Sequence, residues 1–236
     1  MTARTNGVVR PAPASVSPAS SVPDFTDNVY DGVAGVRRDA APVADTAVVL
    51  SHLWSRPTAD EFQVWLQWRD SADHLFRQVC ESDEYAWDEL DVPELLAEYE
   101  RLFVGPGPVP CPPYESYWRQ DVSFDVRGSL MGPCTAELRD LYGELGLETA
   151  PASGEMPDFL PTELEALAYA LASTGRFETG RVIFAGHLRH WLPPFTDAVE
   201  RESRHHFYAD LARVTAAWAA EVDWQIPEPA GDVAGG

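Results

Sequence analysis

The segment Pro157–Gly175, PDFLPTELEALAYALASTG, carries the pattern that decides the fold class. Its apolar residues recur at intervals of three or four positions, which places them on one face of an α-helix. These residues are Leu160, Leu164, Leu167, Ala168 and Leu171. Gly175 follows them, and glycine commonly ends a helix. The segment therefore predicts an amphipathic helix with one buried face.

The same spacing recurs in both directions along the chain. Stripes of this kind lie within residues 48–54, 62–79, 95–103, 138–145, 182–192 and about 195–220. No run of six or more residues alternates between apolar and polar positions as a half-buried strand does. We therefore expect an all-α fold, a compact single-domain bundle of roughly seven or more helices.

Local signals predict where several helices begin and end. Thr58 and Glu61 form a capping box that opens the second helix, which we expect to be a single one. Asp91 is placed as an N-cap and Gly146 as a C-cap. The Pro193-Pro194 pair is expected to end a helix, because proline lacks the N–H that a helix interior requires.

Composition divides the chain into a domain and two tails. Residues 1–42 are rich in Pro, Ala, Ser, Val and Gly and lack a sustained period, which predicts a flexible tail. Residues 228–236 are expected to fray as a second flexible tail. Residues 43–227 then form the helical domain.

The charge of the chain excludes some classes of partner. It has 17 Lys+Arg and 38 Asp+Glu, a formal net charge of −21, and every basic residue is arginine. Nucleic-acid binding needs basic clusters, so no nucleic acid is expected as a partner. The acidic excess either keeps the surface solvated and soluble or, the interpretation we favour, reflects a high-salt environment, and the absence of lysine suits a GC-rich genome.

Hydropathy predicts no membrane insertion. No stretch approaches 18 consecutive apolar residues, and the first 20 residues lack the apolar core of a secretory signal. The expected location is the cytoplasm.

Motifs for catalysis or for a cofactor are lacking. The three cysteines, Cys80, Cys111 and Cys134, form no CxxC pair, and the sequence has no phosphate-binding loop or nucleophile elbow. His187 and His190, with the His205-His206 pair, are the basis of an alternative, a helical His-ligated metalloprotein. The zinc-protease pattern HExxH is absent. From the lack of all these motifs we expect no metal, no cofactor and no enzymatic activity.

One long connection interrupts the helical pattern. Residues 104–128, VGPGPVPCPPYESYWRQDVSFDVRG, contain five prolines and several aromatic residues. Prolines restrict the backbone, and long loops within tight bundles are usually functional or disordered. The connection is expected to be an ordered loop that packs on the core or is presented to a partner.

Three blocks of sequence resemble the TorD/DmsD family of redox-enzyme maturation chaperones. The first is EYERLFVGPG at 98–107 with PCPPYESY at 110–117, the second PDFLPTELE at 157–165, and the third HLRHW at 187–191 followed by Phe195. They occur in the family's order, and residues 43–225 match its all-helical layout. The resemblance implies structural roles for Tyr99, Leu102, Phe103, Gly105, Pro106, Pro112, Pro113, Glu163, Leu164, His187, Trp191 and Phe195.

The resemblance also implies a function. Family members bind the twin-arginine leader, the body, or both, of the catalytic subunit of a molybdopterin oxidoreductase, such as a sulfoxide, nitrate or related oxyanion reductase. They assist cofactor insertion and hold back export. The protein itself is expected to be a monomer or a domain-swapped dimer.

The same resemblance points to a binding site with two walls. The first wall is Tyr114, Glu115, Ser116 and Tyr117, and the second is Asp158, Phe159 and Leu160. Glu115 and Asp158 are candidates to pair with leader arginines. Two alternatives stay open, in which Asp158 caps its own helix and Glu115 holds an arginine of the core. Phe159 stands where the family often has histidine.

Overall fold

Ten α-helices form the part of the chain that the computed structural model describes, which is residues 8–9, 41–80, 85–119, 131–149 and 156–225. They are α1 (Ala41–Leu53), α2 (Ala59–Gln67), α3 (Arg69–Cys80), α4 (Val92–Tyr99), α5 (Glu115–Trp118), α6 (Pro133–Leu145), α7 (Leu160–Ala172), α8 (Phe177–Val182), α9 (Arg189–Glu202) and α10 (His206–Gln225). A 3₁₀ turn, Trp87–Glu89, precedes α4. The expected all-α fold is confirmed.

Two π-helical segments extend regular helices. Glu100–Val104 continues α4, and Ile183–Leu188 joins α8 to α9 without a break. Two short strands, β1 (Val8–Val9) and β2 (Glu148–Thr149), pair antiparallel. π-Helical insertions of this kind often lie at functional sites.

Helix α7 lies at the centre of the bundle. Of its thirteen residues, all but Glu165, Tyr169 and Ala172 are buried, so the helix is covered on most sides. Its main neighbour is α1, and α9 packs along α10. Trp54, just after α1, joins these pairs because its indole N–H donates to Thr215 Oγ1 of α10 at 2.9 Å. Its ring also lies 5.1 Å from that of Phe195 on α9.

Several predicted helix ends are confirmed. Thr58 Oγ1 accepts the Glu61 N–H at 3.2 Å, and Asp91 Oδ1 accepts the Glu94 N–H at 3.0 Å. Gly146 ends α6 with φ 71°, a left-handed conformation that glycine adopts readily. Short polar side chains and glycine thus set these ends through local hydrogen bonds and backbone freedom.

The prediction of one helix after Thr58 is wrong. The chain forms α2 and α3, which are separated at Trp68. Trp68 leaves helical geometry (φ −98°, ψ 6°) because its N–H bonds to the carbonyl of Trp65, three residues back. This tightened turn keeps Trp65 of α2 and Phe76 of α3 against the same ring, that of Phe207 on α10.

The predicted break at Pro193-Pro194 and the single helix at 195–220 are also wrong. Helix α9 passes through both prolines and ends at Glu202, and α10 begins at His206. The prolines cost two N–H donors, but the buried side chains of Trp191 and Phe195 on either side hold the helix in place. At Ser203 the backbone becomes extended, and its hydroxyl donates to the Val199 carbonyl at 2.6 Å.

The predicted domain boundary at residue 43 falls inside α1, which starts at Ala41. Within the predicted N-terminal tail, Val8–Val9 forms the strand that pairs with Glu148–Thr149. Residues 1–7 and 10–40 of that tail, and the C-terminal tail at 228–236, lie outside the described residues. Across the described helices, none has the length and apolar character needed to span a membrane.

Candidate functional site

The two predicted walls meet in direct contact. Leu160 N–H donates to the Pro113 carbonyl, and Glu115 N–H donates to the Asp158 carbonyl, both at 3.0 Å. Tyr114 and Phe159 form an antiparallel β-bridge, with their rings 5.4 Å apart. We call residues 113–119 and 157–163 together the seam. Backbone hydrogen bonds therefore join the two predicted walls directly.

Asp158 holds the short helix α5 in place. It is completely buried, and its Oδ2 accepts the Ser116 N–H at 3.2 Å. It therefore satisfies a donor in the first turn of α5, whereas the N-cap of its own helix, α7, is Phe159. Its other oxygen, Oδ1, has no hydrogen-bond partner among the described residues.

Glu115 lies between two basic side chains. It is 0% exposed, and its carboxylate contacts Arg119 Nη1 at 2.5 Å and His187 Nδ1 at 2.9 Å. Arg119 is 11% exposed and its Nη1 also donates to the Gly186 carbonyl at 2.9 Å. Of the two readings of Glu115, the structure shows the one in which it holds an arginine of this chain.

A third carboxylate, Glu163, lies in the first turn of α7. It is completely buried, and Trp191 Nε1–H donates to its Oε2 at 3.4 Å. Its Oε1 has no hydrogen-bond partner among the described residues. Burial, reinforced by the negative charges of Glu115 and Asp158, raises the pKa of Glu163 well above its usual value. The raised pKa favours the neutral acid, which places less negative charge in the buried part of the seam than a carboxylate does.

The cysteines do not provide a nucleophile. Burial raises the pKa of Cys134 to about 12, with further contributions from Glu115 and Asp158. Burial raises the pKa of Cys111 to about 12 and that of Cys80 to about 11. These thiols stay protonated at neutral pH, whereas thiol chemistry requires the thiolate.

The other predicted wall residues differ in exposure. Tyr117 is 40% exposed and Tyr114 is half-buried, so they present aromatic surface to solvent. Ser116, Phe159 and Leu160 are buried. The solvent-facing side of the seam is therefore aromatic, and its charged groups lie beneath the surface.

The residues given structural roles by the motifs form the core around the seam. Nine of them are buried, namely Tyr99, Leu102, Phe103, Pro113, Glu163, Leu164, His187, Trp191 and Phe195. Pro113 and Pro112 contact the seam through their carbonyls: Pro112 accepts from Trp118 Nε1 at 2.6 Å. Gly105 has φ 106°, which strains any residue with a side chain, and it precedes Pro106 in the turn after the first π segment.

Sequence reasoning missed Arg119 and Gly186. The signal for Arg119 was present, since a glutamate and an arginine four residues apart on a helix are placed to pair. Gly186 had no such signal, because its role depends on a main-chain carbonyl in a π-helical segment, which side-chain patterns do not reveal.

The histidines of the alternative metal site are not brought together. His187 is bound to Glu115, His190 is exposed, and His205 and His206 stack on each other with ring centres 4.8 Å apart. Within the described ranges, no three His, Cys, Asp or Glu side chains are arranged to hold a metal ion. The metalloprotein alternative therefore has no support from this geometry.

Comparison with known proteins gives consistent matches. The sequence model of a family described as nitrate reductase delta subunit matches residues 65–197, more than half of the chain. The Tat proofreading chaperone DmsD of Salmonella typhi is 34% identical over 128 residues, and that of Salmonella typhimurium is 33% identical over 128 residues. Each alignment covers 52% of this chain and 60% of the relative, so the chain spans less than two thirds of the length of these curated relatives.

A solved structure shares the fold. It is a protein from Archaeoglobus fulgidus described as a redox enzyme maturation protein, with 25% sequence identity and a TM-score of 0.54. The match covers 76% of this chain and 93% of that one. These findings support the TorD/DmsD resemblance inferred from the three sequence blocks. The chain therefore belongs to the nitrate reductase delta subunit family, whose match spans the seam and the helices that hold it.

Proposed function

We propose that the protein is a cytoplasmic chaperone, and not an enzyme, for the catalytic subunit of a molybdopterin oxidoreductase. It binds the subunit's twin-arginine leader, its body, or both, assists cofactor insertion and holds back export. The client is a sulfoxide, nitrate or related oxyanion reductase. The printed names of the relatives, a Tat proofreading chaperone and a redox enzyme maturation protein, support this proposal.

The observation that carries the proposal is the arginine held at the seam. A twin-arginine leader offers guanidinium groups followed by an apolar segment. At the seam, the carboxylate of Glu115 binds a guanidinium in this chain, and Asp158 Oδ1 has spare acceptor capacity among the described residues. Tyr114 and Tyr117 of the same segment supply exposed aromatic surface. Both chemical parts of a leader thus have a complement at the seam, the apolar part at its surface and the guanidinium groups beneath it.

Attraction by the net negative charge of the surface is the alternative explanation for binding of a basic leader. A chain with net charge −21 attracts any basic peptide at low salt, and that attraction is screened over about 10 Å at 0.1 M salt. Binding through the buried carboxylates of the seam is screened much less. The persistence of binding at high salt therefore separates the two explanations.

The test is co-expression with a fusion that carries a twin-arginine leader, followed by affinity capture in high salt. We expect the leader fusion to be retained by the wild-type chain, and retention to fall when Glu115 or Asp158 is changed to Ala. Glu178→Ala is the matched control, because Glu178 pairs with Arg181 on the exposed side of α8, away from the seam. Equal retention by all variants would remove the seam from the proposed function.

The high-salt origin is a second proposal with its own test. A dense carboxylate surface repels itself at low ionic strength, and salt screens that repulsion. We expect the free energy of unfolding to rise as KCl is added. Chemical denaturation at low and at molar KCl measures it, and a stability that falls with KCl contradicts salt adaptation.

A further inference from the structure

The contacts of Arg119 define a binding site for a guanidinium group. Its Nη1 donates to the Glu115 carboxylate at 2.5 Å and to the Gly186 carbonyl at 2.9 Å. We call these two acceptors the guanidinium socket. The socket joins the seam to the π-helical segment Ile183–Leu188.

The socket is held by contacts that do not involve Arg119. His187 Nδ1 lies 2.9 and 3.1 Å from the two oxygens of Glu115, and the backbone N–H of Glu115 is bonded to the Asp158 carbonyl. His187 is buried and follows Gly186 directly, so one helix fixes both the imidazole and the carbonyl. The two acceptors therefore keep their geometry if Arg119 moves away.

The socket also lies beside buried polar atoms that have no hydrogen-bond partner among the described residues, and the hydroxyls of Ser116 and Thr162 belong to this group. Glu115, Asp158 and Glu163 are buried close to Arg119. Asp158 Oδ1 and Glu163 Oε1 have no hydrogen-bond partner among the described residues. A guanidinium has five N–H donors, so a guest guanidinium on the socket has donors left for Asp158 Oδ1.

We propose that Arg119 is an internal stand-in for an arginine of the client, and that a guest guanidinium takes its place on Glu115 and Gly186. In the free protein, Arg119 neutralises a buried carboxylate that is costly to leave unpaired. On binding, one arginine replaces another, so Glu115 is never left without a positive partner. The identity of the guest as a leader arginine rests on the proposed function, whereas the exchange at the socket does not.

The exchange has two consequences. Arg119 competes with the guest, so the apparent affinity of the free protein is reduced by the fraction of time that the socket is occupied. The socket is also expected to prefer arginine to lysine. Nη1 alone makes both contacts of Arg119, so this preference rests on the further N–H donors of a guanidinium, which outnumber those of an ammonium. Competition lets the chaperone release its client, and the preference supplies selectivity for arginine over lysine.

The first experiment tests the socket without any leader. In Arg119→Ala, methylguanidinium at millimolar concentration should raise Tm, whereas urea, a neutral molecule of similar shape, should not. Arg181→Ala, which removes an arginine from the exposed Glu178 pair, should show no rise. The double variant Arg119→Ala with Glu115→Gln should lose the effect. If Arg119→Ala does not fold, Arg119→Gln is used in the same titration. A rise in Tm that is equal in wild type and in Arg119→Ala, or equal with urea, overturns the exchange.

The second experiment measures binding of a twin-arginine leader peptide by calorimetry. We expect Arg119→Ala to bind at least about tenfold more tightly than wild type, because the internal competitor is gone. A positive methylguanidinium result with no leader binding by either protein would show that the socket is correct and the proposed function is wrong. A negative methylguanidinium result overturns the exchange whether or not the leader binds.

Discussion

Two glutamate–arginine pairs in this protein make similar contacts, but the hydrogen-bond acceptors around them differ in how fully they are satisfied. Glu98 accepts from Arg101 Nε and Nη2 at 2.7 Å each, and Arg101 also donates to the Glu202 carbonyl. Glu115 accepts from Arg119, which also donates to the Gly186 carbonyl. In both, a guanidinium bridges a carboxylate and a main-chain carbonyl of another helix.

The difference lies in the neighbouring acceptors. Glu98 has further help from the Arg204 N–H, which donates to its Oε1 at 2.6 Å, so both of its oxygens are engaged by strong donors. At the seam, Asp158 Oδ1 and Glu163 Oε1 have no partner among the described residues. The Glu98–Arg101 pair therefore joins α4 to the turn after α9, and both oxygens of its carboxylate have hydrogen-bond donors. The Glu115–Arg119 pair lies in an incompletely satisfied region, which is a feature of binding sites more than of structural ones.

The largest expected effect is on the structural pair. Glu98→Ala leaves Arg101 and the Arg204 N–H without their carboxylate, and we expect it to lower the free energy of unfolding by about 3 kcal/mol. Urea denaturation measures the loss. Leader binding by the fraction that remains folded should be unchanged, and a large loss of binding affinity would show that the two pairs are not functionally distinct.

The pH dependence of stability should differ in sign between the two regions. Burial alone would raise the pKa of Glu98, but hydrogen bonds from Arg101 and the Arg204 N–H outweigh it and lower that pKa below the ordinary value of 4.5. Its contribution to stability is therefore present above pH 4.5 and is lost as the pH falls through the lowered pKa. Glu163, with a raised pKa, contributes below pH 4.5 and loses that contribution as the pH rises.

Glu163→Gln tests this sign, because the amide is neutral at every pH. We expect the variant to gain stability relative to wild type as the pH rises above 4.5, by up to about 1.4 kcal/mol for each pH unit below the raised pKa of Glu163. Urea denaturation across a pH series provides the measurement. A constant difference between variant and wild type from acid to neutral pH contradicts a raised pKa of Glu163.

The smallest effect is expected at the exposed edge of the seam. Tyr117 is 40% exposed, so Tyr117→Ala should leave stability nearly unchanged while weakening leader binding by about 1 kcal/mol. Leu66→Ala is the matched control, since Leu66 on α2 is 36% exposed and lies outside the seam. Equal weakening by both changes would indicate a nonspecific apolar contribution.

Sequence patterns were sufficient for the fold class and for the segments of the seam. The stripe of α7 and the caps at Thr58 and Asp91 depend on neighbours within one helical turn, and such local causes are visible in sequence. The split at Trp68 and the passage of α9 through Pro193-Pro194 depend on packing against distant residues, which local propensity does not contain.

The same distinction applies to the candidate site. The motifs placed Tyr114 to Tyr117 and Asp158 to Leu160 together, but their direct backbone pairing and the burial of Glu115 are tertiary features. The partner of Glu115 was within reach of a simple spacing argument, because Arg119 follows it by four residues. The role of the Gly186 carbonyl was not, since it arises only when the π-helical segment meets α5.

The most direct test of the central claim is calorimetric titration of a twin-arginine leader peptide into wild type, Glu115→Gln and Glu98→Gln in high salt. We predict that wild type and Glu98→Gln bind it with similar affinity, that Glu115→Gln binds at least about tenfold more weakly, and that a twin-lysine peptide binds weakly to all three. Equal affinity of Glu115→Gln and wild type for the twin-arginine peptide would contradict the claim that the seam recognises arginine.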